Sequence, residues 1–132
     1  MRKKMNRLKI SLLQLTVGVC RLAPTENIPS WARQGQLFSI TNTGEELSIL
    51  CEERFIPEGI ICERDWRVLK IEGPLDFSLI GILSKISSHL TEAGISIFAL
   101  STYDTDYILV KNKDIDKAVE TLRSKDYEII VN

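Results

Sequence analysis

The chain contains a single histidine, His89, and nucleophilic catalysis needs a base beside a serine or cysteine. His89 falls on the flank of an apolar helical stripe, so it is expected to be a half-exposed helix residue rather than a general base. The three cysteines, Cys20, Cys51 and Cys62, are odd in number and no two have C-x-x-C spacing. Zinc sites and redox motifs usually place such ligands close together, so neither is indicated and reduced thiols of a cytoplasm are expected. The carboxylate pairs Glu45-Glu46 and Glu52-Glu53 could suggest acid/base work. Neighbours on a strand point to opposite faces, however, so the pairs are expected to be solvated edge charges. A phosphoryl or acyl-phosphate site would want an arginine or a glycine nest after a strand, and Gly73 to Gly81 holds no Arg or Lys. RNA binding would want exposed aromatics on central strands, whereas Trp66 precedes the strand core and Tyr107 stands alone. No cofactor, no metal and no catalytic residue is implied.

Two segments carry residues that plain structure does not demand. In Gly73-Pro74-Leu75-Asp76-Phe77-Ser78-Leu79-Ile80-Gly81-Ile82-Leu83, a glycine in the first turn of a helix costs up to about 1 kcal/mol against alanine. Either something approaches the Gly81 backbone closely, or the helix packs tightly on a neighbouring strand. In the run Ile95 to Val110, Asp104 and Asp106 are acceptable as turn formers, and Asp106 is also placed to meet a cation.

The elements that must position these residues follow from the hydrophobic pattern. Residues 8–22 are apolar and β-rich, with Gly18 a bend or bulge, and 28–33 allow one helical turn. Leu37 to Ile40 and Leu47 to Cys51 form a hairpin across Asn42-Thr43-Gly44, and 52–65 connect irregularly. Trp66 to Glu72 is a strand, after which Asp76 can cap a helix beginning near Phe77 or Ser78. Its stripe is Leu79, Ile82, Leu83, Ile86, Leu90 and Ala93, stopped by Gly94. Strands at 95–101 and 106–111, a helix with Ile115, Ala118, Val119 and Leu122 inward, and a strand at 127–131 complete the order β-α-β-β-α-β. That is an α+β, ferredoxin-like pattern. The first half looks like a helix-poor copy that shares strands with the second.

Composition restricts the partners. The chain of 132 residues carries 17 basic and 18 acidic side chains, a net charge of −1. Five of the bases crowd into residues 1–9, leaving a body with 12 bases against 18 acids, near −6. A body of that sign does not attract phosphate backbones, so no nucleic acid is expected. The start, basic and then apolar up to Cys20, has the outline of a lipoprotein signal. Ser11, Gln14 and Thr16 interrupt its apolar run, and Val19 sits where cleavage needs a small residue, so a strand is expected there. No apolar run approaches about 18 residues, so no membrane span and a cytoplasmic location are expected.

The chain resembles the ACT-domain family, in the branch shared by bacterial aspartokinase-like regulatory proteins and animal cytosolic arginine sensors. The resemblance is carried by Glu72-Gly73-Pro74-Leu75-Asp76-Phe77, Gly81-Ile82-Leu83, Leu90-Thr91-Glu92-Ala93-Gly94-Ile95-Ser96-Ile97, and Ser101-Thr102-Tyr103-Asp104-Thr105-Asp106-Tyr107-Ile108-Leu109-Val110. It covers residues 66–131 strongly. It implies two ACT-type units, a divergent one at 1–62 and a second at 63–132, and a free amino acid bound between ACT units of a homodimer. It implies that Asp76, Phe77, Ser78, Gly81 and Ile82 contact the ligand from the loop and helix start. Ile95, Ser96 and Ile97 line the following strand, and Ser101, Thr102 and Asp106 match the stretch that holds ligand in the arginine sensors. With no catalytic domain on the chain, any signal passes through a regulated protein partner or the dimer geometry. The alternatives are a ligand-free dimerisation or interaction module and a small enzyme of amino-acid metabolism.

Overall fold

The computed structural model describes residues 7–73 and 81–131. Its elements in chain order are β1 (Lys9–Leu22), β2 (Ser39–Asn42), β3 (Leu47–Glu52), β4 (Cys62–Gly73), α1 (Ile82–Glu92), β5 (Ile97–Ser101), β6 (Asp106–Lys111), α2 (Ile115–Ser124) and β7 (Glu128–Val131). Short 3-10 turns occupy Ser30–Arg33, Glu53–Phe55 and Asn112–Asp114. The expected cut at 62/63 treats the units as consecutive. In space, residues 1–14 join 67–132 in one compact unit and 15–66 form the other, so the chain changes unit inside β1 and inside β4.

The unit of 1–14 and 67–132 has the order β4-α1-β5-β6-α2-β7 expected of a ferredoxin-like fold. Its strands lie side by side as β7-β1-β4-β6-β5, with the start of β1 standing between β7 and β4. β1 runs parallel to β7, Ile10 opposite Ile129, and β5 runs antiparallel to β6, Ile97 opposite Val110. The first half is expected to complete its sheet with strands from the second; the start of β1 instead goes the other way, into the unit of 67–132, while β4 begins in the unit of 15–66.

The helices form because their apolar residues recur on one face. Ile86 and Leu90 of α1 and Ile115, Ala118, Val119 and Leu122 of α2 are buried, in one cluster with Ile10, Leu69, Ile71, Ile108 and Val110. Both helices stop the same way. The amide of Ile95 donates to the Leu90 carbonyl at 3.0 Å across left-handed Gly94, and that of Tyr127 to Leu122 at 3.1 Å across Asp126, whose φ is +75°. Ile95 and Tyr127 then tuck into the cluster, so Ile95 closes the helix and the strand expected from Ile95 begins only at Ile97. α1 opens at Ile82, after Gly81 at φ +86°; the start expected near Phe77 or Ser78, and Leu79 of the stripe, lie outside the described residues.

The unit of 15–66 is built from β2, β3 and parts of β1 and β4, with no α-helix among its residues. Val17 to Leu22 pair antiparallel with Glu52 to Leu47, and β2 pairs with β3 beyond a turn in which Gly44 takes a positive φ. Its core gathers Cys20, Leu22, Ala32, Leu47, Ile49, Cys51 and Ile56. Gly18 makes no bulge against β3, where it pairs one-to-one with Cys51. A Cβ there would lie 2.7 Å from Cys62 Sγ and from Ile56, so the glycine permits close approach.

Glu52 and Glu53 are not solvated edge charges. Glu52 is 5% exposed and accepts hydrogen bonds from the Gln36 amide and, at 3.0 Å, from Arg54 Nε. A Cβ on left-handed Gly35 would strike the Glu52 carboxylate. Glu53 Oε1 accepts the amide of Asp65 at 2.8 Å, where the backbone turns through a positive φ. Both acids satisfy backbone donors that strand alternation gave no reason to expect.

Candidate functional site

The hairpin of β5 and β6 assembles one part of the candidate site. Ser101 ends β5 and Asp106 begins β6, and the two are direct cross-strand partners. Side chains of such a pair lie on one face of the sheet. The Ser101 hydroxyl donates to Asp106 Oδ1 at 2.6 Å. The turn between them is closed by Thr102, whose amide and hydroxyl both donate to the Thr105 carbonyl, at 2.8 and 3.1 Å. Asp106 is half-buried, whereas Tyr103 at the tip of the turn is fully exposed. The site thus has a carboxylate with one oxygen oriented by a neighbouring hydroxyl, a suitable partner for a cation.

The start of α1 supplies the second part. Among the described residues, nothing lies within 4 Å of the position a Gly81 side chain would take. The glycine answers to its left-handed backbone, and among the described residues nothing packs against it. Ile82, half-buried, packs on the core together with Ile97, and α1 packs against β5. Ser96 is exposed between Ile95, 2% exposed, and Ile97. Asp76, Phe77 and Ser78 lie outside the described residues. The structure brings Ser101, Thr102 and Asp106 together, and separately draws Ile82, Ile95 and Ile97 into one apolar cluster.

His89 is half-buried and meets the Tyr127 ring edge-on at 5.8 Å, a packing contact. Burial pushes the Tyr127 phenol above its ordinary range. Among the described residues no group of three His, Cys, Asp or Glu side chains is arranged to hold a metal ion. No helix among them is long and apolar enough to cross a membrane. A cleft of about 260 Å³ lined by Leu12, Asp116, Val119, Glu120, Arg123 and Val131 was not foreseen. Its charged residues recur on the outer face of α2, which periodicity marks only as solvated.

Comparison with known proteins gives the following. A family model described as ACT domain matches residues 61–124, and a model of an N-terminal domain matches 16–59. The crystal structure of the protein Atu0741 from Agrobacterium tumefaciens is 36% identical, superposes with a TM-score of 0.90, and is matched over 96% of this chain and 94% of its own. The cytosolic arginine sensor for mTORC1 subunit 1 of cattle is 28% identical over 105 residues, 71% of this chain and 32% of that protein. The chain therefore spans about a third of the length of that relative. The regulatory subunit of aspartate kinase from Thermus thermophilus, in its ligand-free form, shares the fold at 10% identity and a TM-score of 0.60, over 88% of this chain and 96% of its own.

Proposed function

The chain belongs to the ACT-domain family, and from that premise we propose that it is a non-catalytic regulatory protein of the cytoplasm that binds a free amino acid between ACT units of a homodimer. Counted along the sequence, the divergent unit occupies 1–62 and the ligand-binding unit 63–132. The observation that carries the reading is the space beside Gly81 at the start of α1, open among the described residues. Free amides at a helix start favour an anion by about 0.3–1 kcal/mol, and by about 2 when partly buried. The ligand's carboxylate docks there, and Asp76, Phe77 and Ser78 are proposed as further contacts on the strength of the family resemblance. Ser96 offers exposed backbone, Ile82 and Ile97 an apolar floor, and Ile95 holds that stretch in place by its own burial.

The Asp106 carboxylate, oriented by Ser101 with Thr102 beside it, receives the ammonium or a basic side chain. One charged hydrogen bond of this kind contributes about 1.5–3 kcal/mol. Three or four such contacts with side-chain burial reach about −7 kcal/mol, a Kd near 10 μM. The cattle relative's name as an arginine sensor puts arginine first among ligands to test. Among the described residues β5 pairs on one side only, which supports assembly with a second copy and transmission of the signal to a protein partner.

The experiment is calorimetry of the full chain, freed of carried-over ligand, against the proteinogenic amino acids, beside sedimentation. The expected result is one amino acid or a related pair binding in the micromolar range. Asp106→Ala is expected to weaken that binding about 10- to 100-fold while the dimer persists. No response from any amino acid overturns the reading. A variant that alters assembly alone, with no ligand response in the parent, instead supports the ligand-free interaction module that the open β5 edge also suits.

A further inference from the structure

Cys20, Cys51 and Cys62 are distant in the sequence and meet around Gly18. Cys51 is the direct partner of Gly18 on β3. Cys20 lies two residues along β1, on the same face of the strand. Cys62, at the start of β4, places its sulfur where a Gly18 side chain would be. Cys20 Sγ and Cys62 Sγ are 3.4 Å apart although the residues are 42 positions apart. Next to them the Arg21 amide donates to the Ile61 carbonyl at 3.0 Å, which pins the two strands in register beside the sulfurs. Cys20 and Cys51 are buried, 1% and 0% exposed, while Cys62 is half-buried.

Buried cysteines usually act as small apolar side chains, and Cys51 fits that role. The other two differ from simple packing. Their sulfurs already touch across neighbouring strands, and a disulfide asks them to close to about 2 Å. One of them is reachable from solvent. We propose that Cys20 and Cys62 are a reversible redox pair, in which a peroxide oxidises Cys62 and Cys20 then closes a disulfide between β1 and β4.

The electrons balance with hydrogen peroxide as the oxidant. The Cys62 sulfur attacks one peroxide oxygen, the O–O bond breaks, and water leaves a sulfenic acid on Cys62. The Cys20 sulfur attacks the sulfenyl sulfur, the S–O bond breaks, a second water leaves, and the S–S bond forms. The two thiols lose two protons and two electrons, and the peroxide takes them up to become two waters. A low-molecular-weight dithiol reverses the bond by exchange.

The groups facing Cys20 are Cys51 from β3 and Cys62 and Arg64 from β4. Burial first, then the hydrogen bond to Cys62, pushes the Cys20 thiol well above its ordinary range, and only Arg64 pulls the other way. The thiolate is the attacking form, so closure is slow at neutral pH and accelerates as pH rises.

The test is peroxide treatment of the full chain at neutral and at alkaline pH, blocking of free thiols, and tryptic peptide mapping. Cleavage after Arg21, Arg54 and Arg64 puts each cysteine on its own peptide. The expected product is a Cys20–Cys62 linked peptide, lighter by two hydrogens, with Cys51 blocked as a free thiol and the bond lost on adding dithiothreitol. Its rate of formation should rise with pH, up to about tenfold per unit while the attacking thiol remains mostly protonated. Cys51→Ser should leave the linkage in place, and Cys20→Ser should let a Cys62 sulfenic acid accumulate for trapping with dimedone. Linkage of either cysteine mainly to Cys51, a bond between chains, irreversible oxidation of Cys62 with Cys20 still free, or no disulfide at either pH overturns the proposal. The mapping of the unmutated chain decides this even where a variant fails to fold.

Discussion

The two compact units share β1 and β4 yet cover their strands differently. In the unit of 1–14 and 67–132, two helices of 11 and 10 residues supply continuous apolar stripes. In the unit of 15–66, the 3-10 turn Ser30–Arg33 packs against β3, contributing Ala32 and Trp31, and Ile56 and Ile60 pack on the same cluster from outside the strands. The difference teaches that one type of sheet can be closed by regular periodic elements or by single residues placed from far along the chain. Periodic cover tolerates small shifts, because each stripe residue has neighbours doing the same work. Single-residue cover depends on particular close approaches: Gly18 under Cys62, and Gly35 beside Glu52.

The comparison is broken most severely by truncating the helical cover. Leu122→Ala, at a fully buried position joined to the Tyr127 cap, is expected to cost about 2–5 kcal/mol in denaturant unfolding. A loss below about 1 kcal/mol would mean that the cluster collapses around the gap. The next effect lies in the other unit. Gly18→Ala forces a methyl group against Cys62 Sγ and Ile56, at a cost of about 1–3 kcal/mol. Adding Cys62→Ala should recover part of it, measured as a non-additive double-mutant cycle. Strict additivity would remove Cys62 from the account.

The smallest effect sharpens the contrast through pH. Burial, followed by Cys62 and Glu52, pushes the Cys51 thiol up to about 11 from an ordinary 9.0, and Cys20 is raised as well. A thiol whose folded value is raised resists ionising in the native state while the unfolded chain ionises freely. Its stabilising contribution is complete below pH 9 and is lost as pH climbs from about 9 to about 11. Thermal unfolding under reducing conditions should therefore show alkaline destabilisation in this window, and Cys51→Ala should make it shallower. Tyr127 adds a similar loss in the helical unit, with the same sign.

Legibility in the sequence followed the same division. The α2 stripe at 115, 118, 119 and 122, the α1 stripe at 82, 86 and 90, the Gly94 stop and the β5–β6 turn could be read directly, since helix and turn geometry repeat over a few residues. Ser101, Thr102 and Asp106 were singled out by the resemblance to ACT domains, and the structure ties them within one hairpin. The left-handed turn at Gly81 was not legible, because a glycine inside an apolar stripe can be helical or left-handed, and only φ distinguishes the two. Glu52 was misjudged because strand alternation says nothing of a Gln36 amide that folds back onto it. Ile95 was assigned to a strand although it closes a helix, a shift of two residues at an element boundary.

By itself the sequence determined which segments are helix and which are strand across 82–131, their α+β order, and the resemblance to ACT domains, because each depends on patterns a few residues long. Only the tertiary structure decided that β1 enters between β7 and β4, that Glu52 is buried, and that three scattered cysteines share one glycine's space. Those are contacts between residues far apart in the chain, set by strand pairing and register, and no local periodicity encodes them.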